Sequence, residues 1–262
     1  METDLQLAQR AALVGAGVAL GHYAALADLP QEHKADGSIV TAADRAVEAA
    51  ILEVLAAARP DDAVLGEESG ETGGTADRRW IIDPIDGTRL FVAGDDRWLV
   101  LIGLAEAGEM VAGVAMHPAQ GSIWWATRGG GAFEGRVVGG RVVAETRIRT
   151  GGQAPGPAGS RLAIVPEDWG RELVAPLTAL TAARPWTIHP ALLVARGDLD
   201  VAVQPNGQIW DFAATSLIVN EAGGSYSGVA GHLRPAPGPS IYARDEEFRL
   251  ATLALLAGAL RP

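Results

Sequence analysis

Nine residues, Trp80-Ile81-Ile82-Asp83-Pro84-Ile85-Asp86-Gly87-Thr88, constrain this chain more than any other stretch. An apolar run of strand character leads into two carboxylates three residues apart, with Gly-Thr behind them. Pro84 fixes its own φ at about −65° and biases Asp83 to extended geometry, so a sharp turn is expected there. Gly87 lets the backbone approach a ligand closely. Two carboxylates on a stiff turn beside free backbone N–H groups suit a hard divalent cation that also touches a phosphate. An ordinary Asp-Pro/Asp-Gly surface turn has the same composition; the rest of the chain decides between the two.

With 262 residues, 48% of them hydrophobic, the chain has material for one large domain or two intimately packed ones. No apolar run reaches the ~18 residues needed to span a bilayer, so no membrane partner is expected. Ala11–Leu20 follows Gln9 and Arg10 without a convincing cleavage site and reads as part of an amphipathic first helix, not a signal peptide. Without cysteine, disulfides and thiol-based metal or nucleophile chemistry are excluded, and a cytoplasmic location is expected. The formal charge of −11, with Lys34 the single lysine, argues against nucleic acid as a partner. An acidic protein can still handle a phosphorylated small molecule if metal ions invert the charge of its site.

Helical spacing covers Leu5–Leu26, and a second helix is predicted from Thr41-Ala42-Ala43-Asp44 through Ala57. Ala63–Leu65 reads as a short strand ending at Gly66-Glu67-Glu68, and Gly70–Asp77 as a mobile loop. Runs at Arg79–Ile82, Trp98–Ala105, Met110–His117, Ser122–Thr127 and Gly131–Phe133, divided by glycine turns, predict an antiparallel meander. A composition break at Thr150–Ser160 marks a boundary between an N-terminal subdomain, 1–150, and a C-terminal one, 151–262. Beyond it, strands are expected at Leu162–Val165, Trp186–Ile188 and Val201–Val203. Helices are expected at Asp168–Ala183, Pro190–Arg196, Asp211–Ala222 and Asp245–Leu260. Trp124 and Trp125 read as strand packing, one ring on each face.

Three segments end in acids at turns: Gly66-Glu67-Glu68-Ser69, Asp83 with Asp86, and Trp210-Asp211. Singly, Asp211 reads as an N-cap and the two glutamates as solvated turn residues; jointly they are harder to dismiss. Together with Val40-Thr41-Ala42-Ala43-Asp44, Trp210-Asp211-Phe212-Ala213-Ala214 and Glu221-Ala222-Gly223-Gly224, the chain resembles the inositol monophosphatase superfamily of magnesium-dependent, lithium-sensitive phosphatases over nearly its whole length.

The resemblance implies an α/β (α+β) fold, a five-layer αβαβα sandwich, and a homodimer. It implies that Glu67, Asp83 and the Ile85 carbonyl hold a first Mg²⁺, and that Asp83 bridges to a second completed by Asp86 and Asp211. A third, weaker ion would sit near Glu67, toward the loop of Lys34 and Asp36. Asp44 and Thr88 would orient and deprotonate the attacking water, and the amides of Gly87 and Thr88 would cradle the phosphate. Arg184, Gln204 and Asp211 would face the substrate, a small phosphorylated alcohol; Li⁺ would inhibit. Unaided phosphate monoesters hydrolyse so slowly that enhancements on the order of 10²¹ occur, and paired metals help by acidifying water and neutralising the leaving oxygen. Mg²⁺ takes oxygen ligands, matching acids without His or Cys. Five acids (Asp44, Glu67, Asp83, Asp86, Asp211) cannot all stay ionised together without cations, so a metal-free site is expected to be strained and partly protonated.

Several positions depart from the family pattern. Leu90 stands where a polar Asn is usual, and Arg184 is followed by the bulky Pro185-Trp186-Thr187-Ile188-His189-Pro190-Ala191 instead of small residues. Gln204, seven residues before Asp211, replaces an acid that binds inositol hydroxyls. The run Trp124 to Phe133 resembles the histidinol-phosphate phosphatase branch, which makes histidinol phosphate the leading substrate, with inositol-1-phosphate or another cyclitol or sugar phosphate next. A 3′(2′),5′-bisphosphate nucleotidase needs a second cationic pocket, and 161–262 offers eight scattered Arg and no Lys. A non-catalytic sugar-phosphate-binding member is the remaining alternative, although no carboxylate ligand, Asp44 or Thr88 is lost. His189 reads as a satisfied loop or core histidine. His22, His33, His117 and His232 have no metal-ligand spacing, and no Gly-x-Ser-x-Gly elbow is present.

Overall fold

The computed structural model describes residues 2–28, 30–33, 39–74 and 77–257. Helix α1 (Asp4–Tyr23) starts from a reciprocal Thr3/Gln6 capping box, and strands β1 (Gln31–His33) and β2 (Ile39–Thr41) lead to α2 (Ala42–Ala58), whose box is Thr41/Asp44. Next come β3 (Ala63–Gly66), β4 (Gly70–Gly73), β5 (Arg78–Asp86) and the short α3 (Thr88–Val92). A meander follows, of β6 (Leu99–Glu106), β7 (Glu109–His117), β8 (Ser122–Thr127), β9 (Gly131–Val138) and β10 (Arg141–Ile148). The second half contains β11 (Leu162–Ile164), α4 (Arg171–Thr178), α5 (Pro190–Ala195), β12 (Val201–Gln204), α6 (Ile209–Glu221), β13 (Ser225–Gly228), β14 (Ser240–Ala243) and α7 (Glu246–Leu256).

Strands β3 to β10 make an eight-stranded sheet in the order β10-β9-β8-β7-β6-β5-β3-β4, with β3 and β5 parallel. A four-stranded sheet, β11-β12-β14-β13, belongs to the second half. Helices α1 and α2 cover one face of the large sheet; α5 and α6 lie between the two sheets; α4 and α7 close the far side of the small one. The layers therefore run αβαβα, as expected.

Side-chain parity explains why the large sheet is buried on both faces. Along β6, Val100, Ile102 and Leu104 enter the core under α1 and α2, while Leu99 and Leu101 enter the core around α6. Trp124 and Trp125 split in the same way, one ring on each face. Close approach is set by glycines. A Cβ on Gly15 would lie 2.9 Å from Ile51 Cδ1, so α1 lies directly on α2. A Cβ on Gly113 would lie 3.0 Å from the Ala214 carbonyl oxygen, so α6 rests with its backbone against β7.

Several expectations are corrected. Gly70–Gly73 is not loop but a strand, antiparallel to β3. Trp186–Ile188 is not a strand; Trp186 is fixed instead by its indole N–H, which donates to the Ile164 carbonyl at 3.0 Å. The helix predicted over 168–183 shrinks to Arg171–Thr178. Strands β10, β13 and β14 were not foreseen. The turn expected at Pro84 is a β-bulge: Asp83 pairs with Leu101 and Asp86 with Leu99, so β5 holds one residue more than β6. Pro84 is tolerated in a central strand because it sits in that bulge. The chain reverses only at Gly87, whose φ of 88° is left-handed. The predicted end of the last helix, 258–260, and the Lys34/Asp36 loop lie outside the described residues.

Replacing Gly113 with alanine is expected to cost about 1–3 kcal/mol, because its methyl must displace α6 backbone from the sheet. Urea unfolding of Gly113→Ala beside an exposed control with open space and ordinary backbone, Gly151→Ala, measures this.

Candidate active site

The bulge in β5 has a chemical consequence. In a regular strand, residues three apart point to opposite faces. The extra residue brings Asp83 and Asp86 round to the same side, toward the first turn of α6. There, ligand oxygens of Asp83, Asp86 and Asp211 lie within 4.8 Å of one another. Asp211 is not the N-cap expected from the sequence. It is the third residue of α6, and its Oδ2 accepts the Gln208 N–H at 2.6 Å, so it serves the helix start from inside. Its position depends on β6 and β7 carrying glycine opposite the helix: a Cβ on Gly103 would be 3.0 Å from Ala213 Cβ.

Asp83 is 1% exposed, and its Oδ1 has no hydrogen-bond partner. Burial pushes its carboxyl well above the usual range, and the charges of Glu67, Asp86 and Asp211 add to that. Asp86 is raised well too, by burial first and then by Asp211 and Glu67. Glu67 follows β3, with its backbone N–H on the Ile82 carbonyl at 3.2 Å; it is not one of the trio, but its charge reaches both aspartates.

A second group adjoins the cluster. Asp44, fully buried in the first turn of α2, accepts the Thr41 N–H and hydroxyl on Oδ2, both at 2.7 Å. Its Oδ1 accepts the Thr88 hydroxyl at 3.0 Å, and the same hydroxyl lies 3.1 Å from the Ile85 carbonyl. Burial raises the Asp44 carboxyl in spite of these bonds. Gly87 and Thr88 start α3, where a helix leaves N–H groups without intrahelical acceptors.

Of the substrate-facing candidates, Gln204 ends β12, buried, and its Oε1 has no partner. Arg184 is exposed, its backbone N–H on the Leu162 carbonyl, and among the described residues no hydrogen bond or ion pair joins it to the carboxylates. Leu90, in the place of a polar residue, packs against the core around α6.

Two residues beside the cluster were not among the site residues expected from the sequence. His189 is a helix cap, as a satisfied histidine would be, with Nδ1 accepting the Ala191 N–H at 3.3 Å. That fixes the proton on Nε2, which faces Asp86 Oδ2 at 3.9 Å. Burial, then nearby His117, holds the His189 pKa at about 4, so the ring is a neutral donor at the edge of the cluster. Glu48, 2% exposed on α2, accepts the N–H groups of Glu68 and Ser69 at 2.9 and 2.7 Å. Its signal in the sequence is an acid on the apolar stripe of α2, with Val47, Ile51 and Leu55.

Converging carboxylates with raised pKa values, one oxygen unpartnered, fit a hard cation with oxygen ligands and fit a softer metal poorly. Beside them stands a threonine hydroxyl oriented by a buried aspartate. A two-sheet α/β scaffold with this site defines a metal-dependent hydrolase. Comparison with known proteins narrows the class. The family model described as "Inositol monophosphatase family" matches residues 1–164 and 181–259. A histidinol-phosphatase from Streptomyces coelicolor is 36% identical over 251 residues, covering 89% of each chain. An inositol-1-monophosphatase from Rhizobium meliloti is 32% identical, covering 83% of this chain and 82% of the relative. The structure of a Thermotoga maritima IMPase superposes with a TM-score of 0.79 at 25% identity, over 96% of both chains. The chain belongs to the inositol monophosphatase family and is a phosphoric monoester hydrolase.

The raised carboxyls predict how metal-free protein responds to pH. Folded Asp83 and Asp86 keep protons that the unfolded chain releases above about pH 4. The folded state then binds more protons, so their contribution to stability falls as pH rises. Metal-free Asp83→Asn is expected to melt above wild type at pH 8, with the gap closing toward pH 4.5. Thermal melts in EDTA across that range test the sign; a gap that widens on acidification refutes it.

Proposed function

We propose that this chain is a Mg²⁺-dependent phosphomonoesterase acting on a small phosphorylated alcohol, with histidinol phosphate as the leading substrate. The observation that carries the reading is the buried, unpartnered Asp83 Oδ1 inside a trio of carboxylates, next to the Asp44–Thr88 pair. Glu67, Asp83, Asp86, Asp211 and the Ile85 carbonyl would hold two to three Mg²⁺ ions, with Li⁺ as an inhibitor. When bound, Mg²⁺ supplies charge to lower the pKa of water and to neutralise the ester and its leaving oxygen.

The remaining steps fall to the protein. Gly87 and Thr88 present amide N–H groups at a helix start to the phosphoryl oxygens. Thr88 donates its hydroxyl proton to Asp44 Oδ1, which leaves the oxygen's lone pairs to accept a proton from the attacking water. Asp44 can direct Thr88 because its other oxygen is saturated by Thr41. Its raised carboxyl gives it the basicity to take up the proton. Exclusion of solvent around Asp44 and Asp83 keeps these groups in one geometry.

The alcohol would lie toward Gln204 and the Trp186–His189 segment, with Arg184 at its outer side. Histidinol phosphate is favoured by the relative named a histidinol-phosphatase, at 36% identity over 89% of the chain. The Gln204 Oε1 is an acceptor that a substrate ammonium or hydroxyl would satisfy. Inositol-1-phosphate is the second reading, supported by the relative named an inositol-1-monophosphatase. A cytoplasmic homodimer belongs to the same reading.

Phosphate release from histidinol phosphate, inositol-1-phosphate, sugar phosphates and 3′-phosphoadenosine 5′-phosphate, with and without Mg²⁺, is the test. One Mg²⁺-dependent substrate well ahead of the others is expected. Asp86→Asn should abolish turnover with the fold intact, and Thr88→Ala should lower kcat by on the order of 10²–10⁴. Release from none of them would overturn the substrate assignment, and full activity in Asp86→Asn would refute the metal assignment.

A further inference from the structure

The turn that carries Glu67 is held from below by a group outside the metal site. After β3, residues Gly66 to Ser69 leave the sheet, and the N–H groups of Glu68 and Ser69 both point at the Glu48 carboxylate. One oxygen takes each: Oε2 the Glu68 N–H at 2.9 Å, Oε1 the Ser69 N–H at 2.7 Å. Glu48 is 2% exposed. Bonds from N–H to a buried carboxylate are short and strong, and the fork fixes orientation as well as distance.

The same carboxylate also fits closely against Gly66. A Cβ on Gly66 would lie 2.6 Å from both Glu48 Cδ and Oε1, so glycine there lets the carboxylate rise against the chain. One turn earlier on the same face of α2 is Asp44, which holds the Thr88 hydroxyl. The helix thus ties down two separate loops at once, through acids four residues apart. For a loop that needs only to turn, surface water would satisfy these two N–H groups. Burial of a carboxyl group beneath it is intelligible when the position of Glu67 relative to Asp83 and Asp86 matters.

We propose that Glu48 is a positioning residue that locks the Gly66–Ser69 turn and so presents Glu67 to the Asp83 cluster in the geometry metal binding needs. This rests on the Mg²⁺-dependent reading of the site. Glu48 touches neither substrate nor metal; it acts through the turn. Removing such a partner of a ligand-bearing segment typically weakens metal affinity about 10–100-fold.

The test compares wild type, Glu48→Gln, Gly66→Ala, the double variant, and Glu53→Gln as a charge control from the exposed face of α2. Glutamine keeps the shape but sets an NH₂ against one of the two N–H groups. Isothermal titration of Mg²⁺ into metal-free protein gives affinity without turnover, and kcat is measured separately at saturating Mg²⁺. Glu48→Gln and Gly66→Ala are expected to bind Mg²⁺ about 10–100-fold more weakly, with kcat at saturation within about threefold of wild type. The double variant should lose less than the product of the two, because both act on one contact. Glu53→Gln should match wild type. A purely structural role would lower the melting temperature and leave Mg²⁺ affinity alone, and that result overturns the proposal. So does a collapse of kcat at saturating Mg²⁺ with affinity intact. Should Glu48→Gln fail to fold, Gly66→Ala, which keeps the carboxylate, decides by the same readouts. A wild type that neither binds nor needs Mg²⁺ sinks the Mg²⁺-dependent reading and this inference with it; a Mg²⁺-dependent wild type with an indifferent Glu48→Gln sinks the inference alone.

Discussion

Three carboxylates that repel one another across a few ångströms of low-dielectric space are the constraint around which this molecule is arranged. Left alone, a chain would relieve such repulsion by letting the acids separate. Here separation is blocked from two directions. Asp83 and Asp86 are set in a strand paired on both sides, and Asp211 is fixed in a helix whose backbone lies directly on that sheet. The aromatic and aliphatic core on both faces of the sheet supplies the stability against which this local strain is held.

The helix α2 plays a complementary part on the opposite flank. Its apolar residues Val47, Ile51 and Leu55 anchor it in the core, while two acids on the same stripe face outward from that anchor to loops carrying Thr88 and Glu67. The site is thus assembled at the meeting of three rigid elements, β5, α2 and α6, and not from one flexible loop. His189, with its proton fixed on Nε2 by its capping role, adds a neutral donor beside Asp86 and leaves the negative charge of the cluster uncompensated.

Much of this was legible in the sequence, for identifiable reasons. Both N-terminal helices, the meander and the acids near the ends of β3 and β5 and the start of α6 left strong local signals: periodicity, glycine turns and motifs with chemistry attached; the layer order came only with the family resemblance. What was missed had weak signals. Strand β10 is an exposed edge with Ile148 its one buried residue, so it shows no alternation. Strands β13 and β14 are four residues long, and β4 begins and ends in glycine. Trp186–Ile188 has strand composition but is fixed by a side-chain hydrogen bond to a carbonyl far away in the chain. Glu48 was hidden because a single acid in a helix resembles any solvated acid until its neighbours on the stripe are counted as buried. The Asp83–Pro84 step was read as a turn because proline was given more weight than the continuing strand.

The bulge in β5 makes the placing of Asp83 and Asp86 on one side of the sheet a matter of parity, not of distance alone. Adding one residue to β6 opposite Pro84 and Ile85 would let the strands pair regularly and send one of the two carboxylates through the sheet into the apolar core beneath α1 and α2. Deleting one residue from the tetrad would also remove the bulge, yet residues two apart share a face, so both carboxylates would stay on the α6 side. With four residues in place, it is the one-residue mismatch between β5 and β6 that keeps the two acids together. The Thr150–Ser160 linker joining the two sheets carries no parity of this kind and is held instead by its own backbone, with the Thr150 N–H on the Ala222 carbonyl and the Gly151 and Ala154 carbonyls accepting from Arg161 and Arg244.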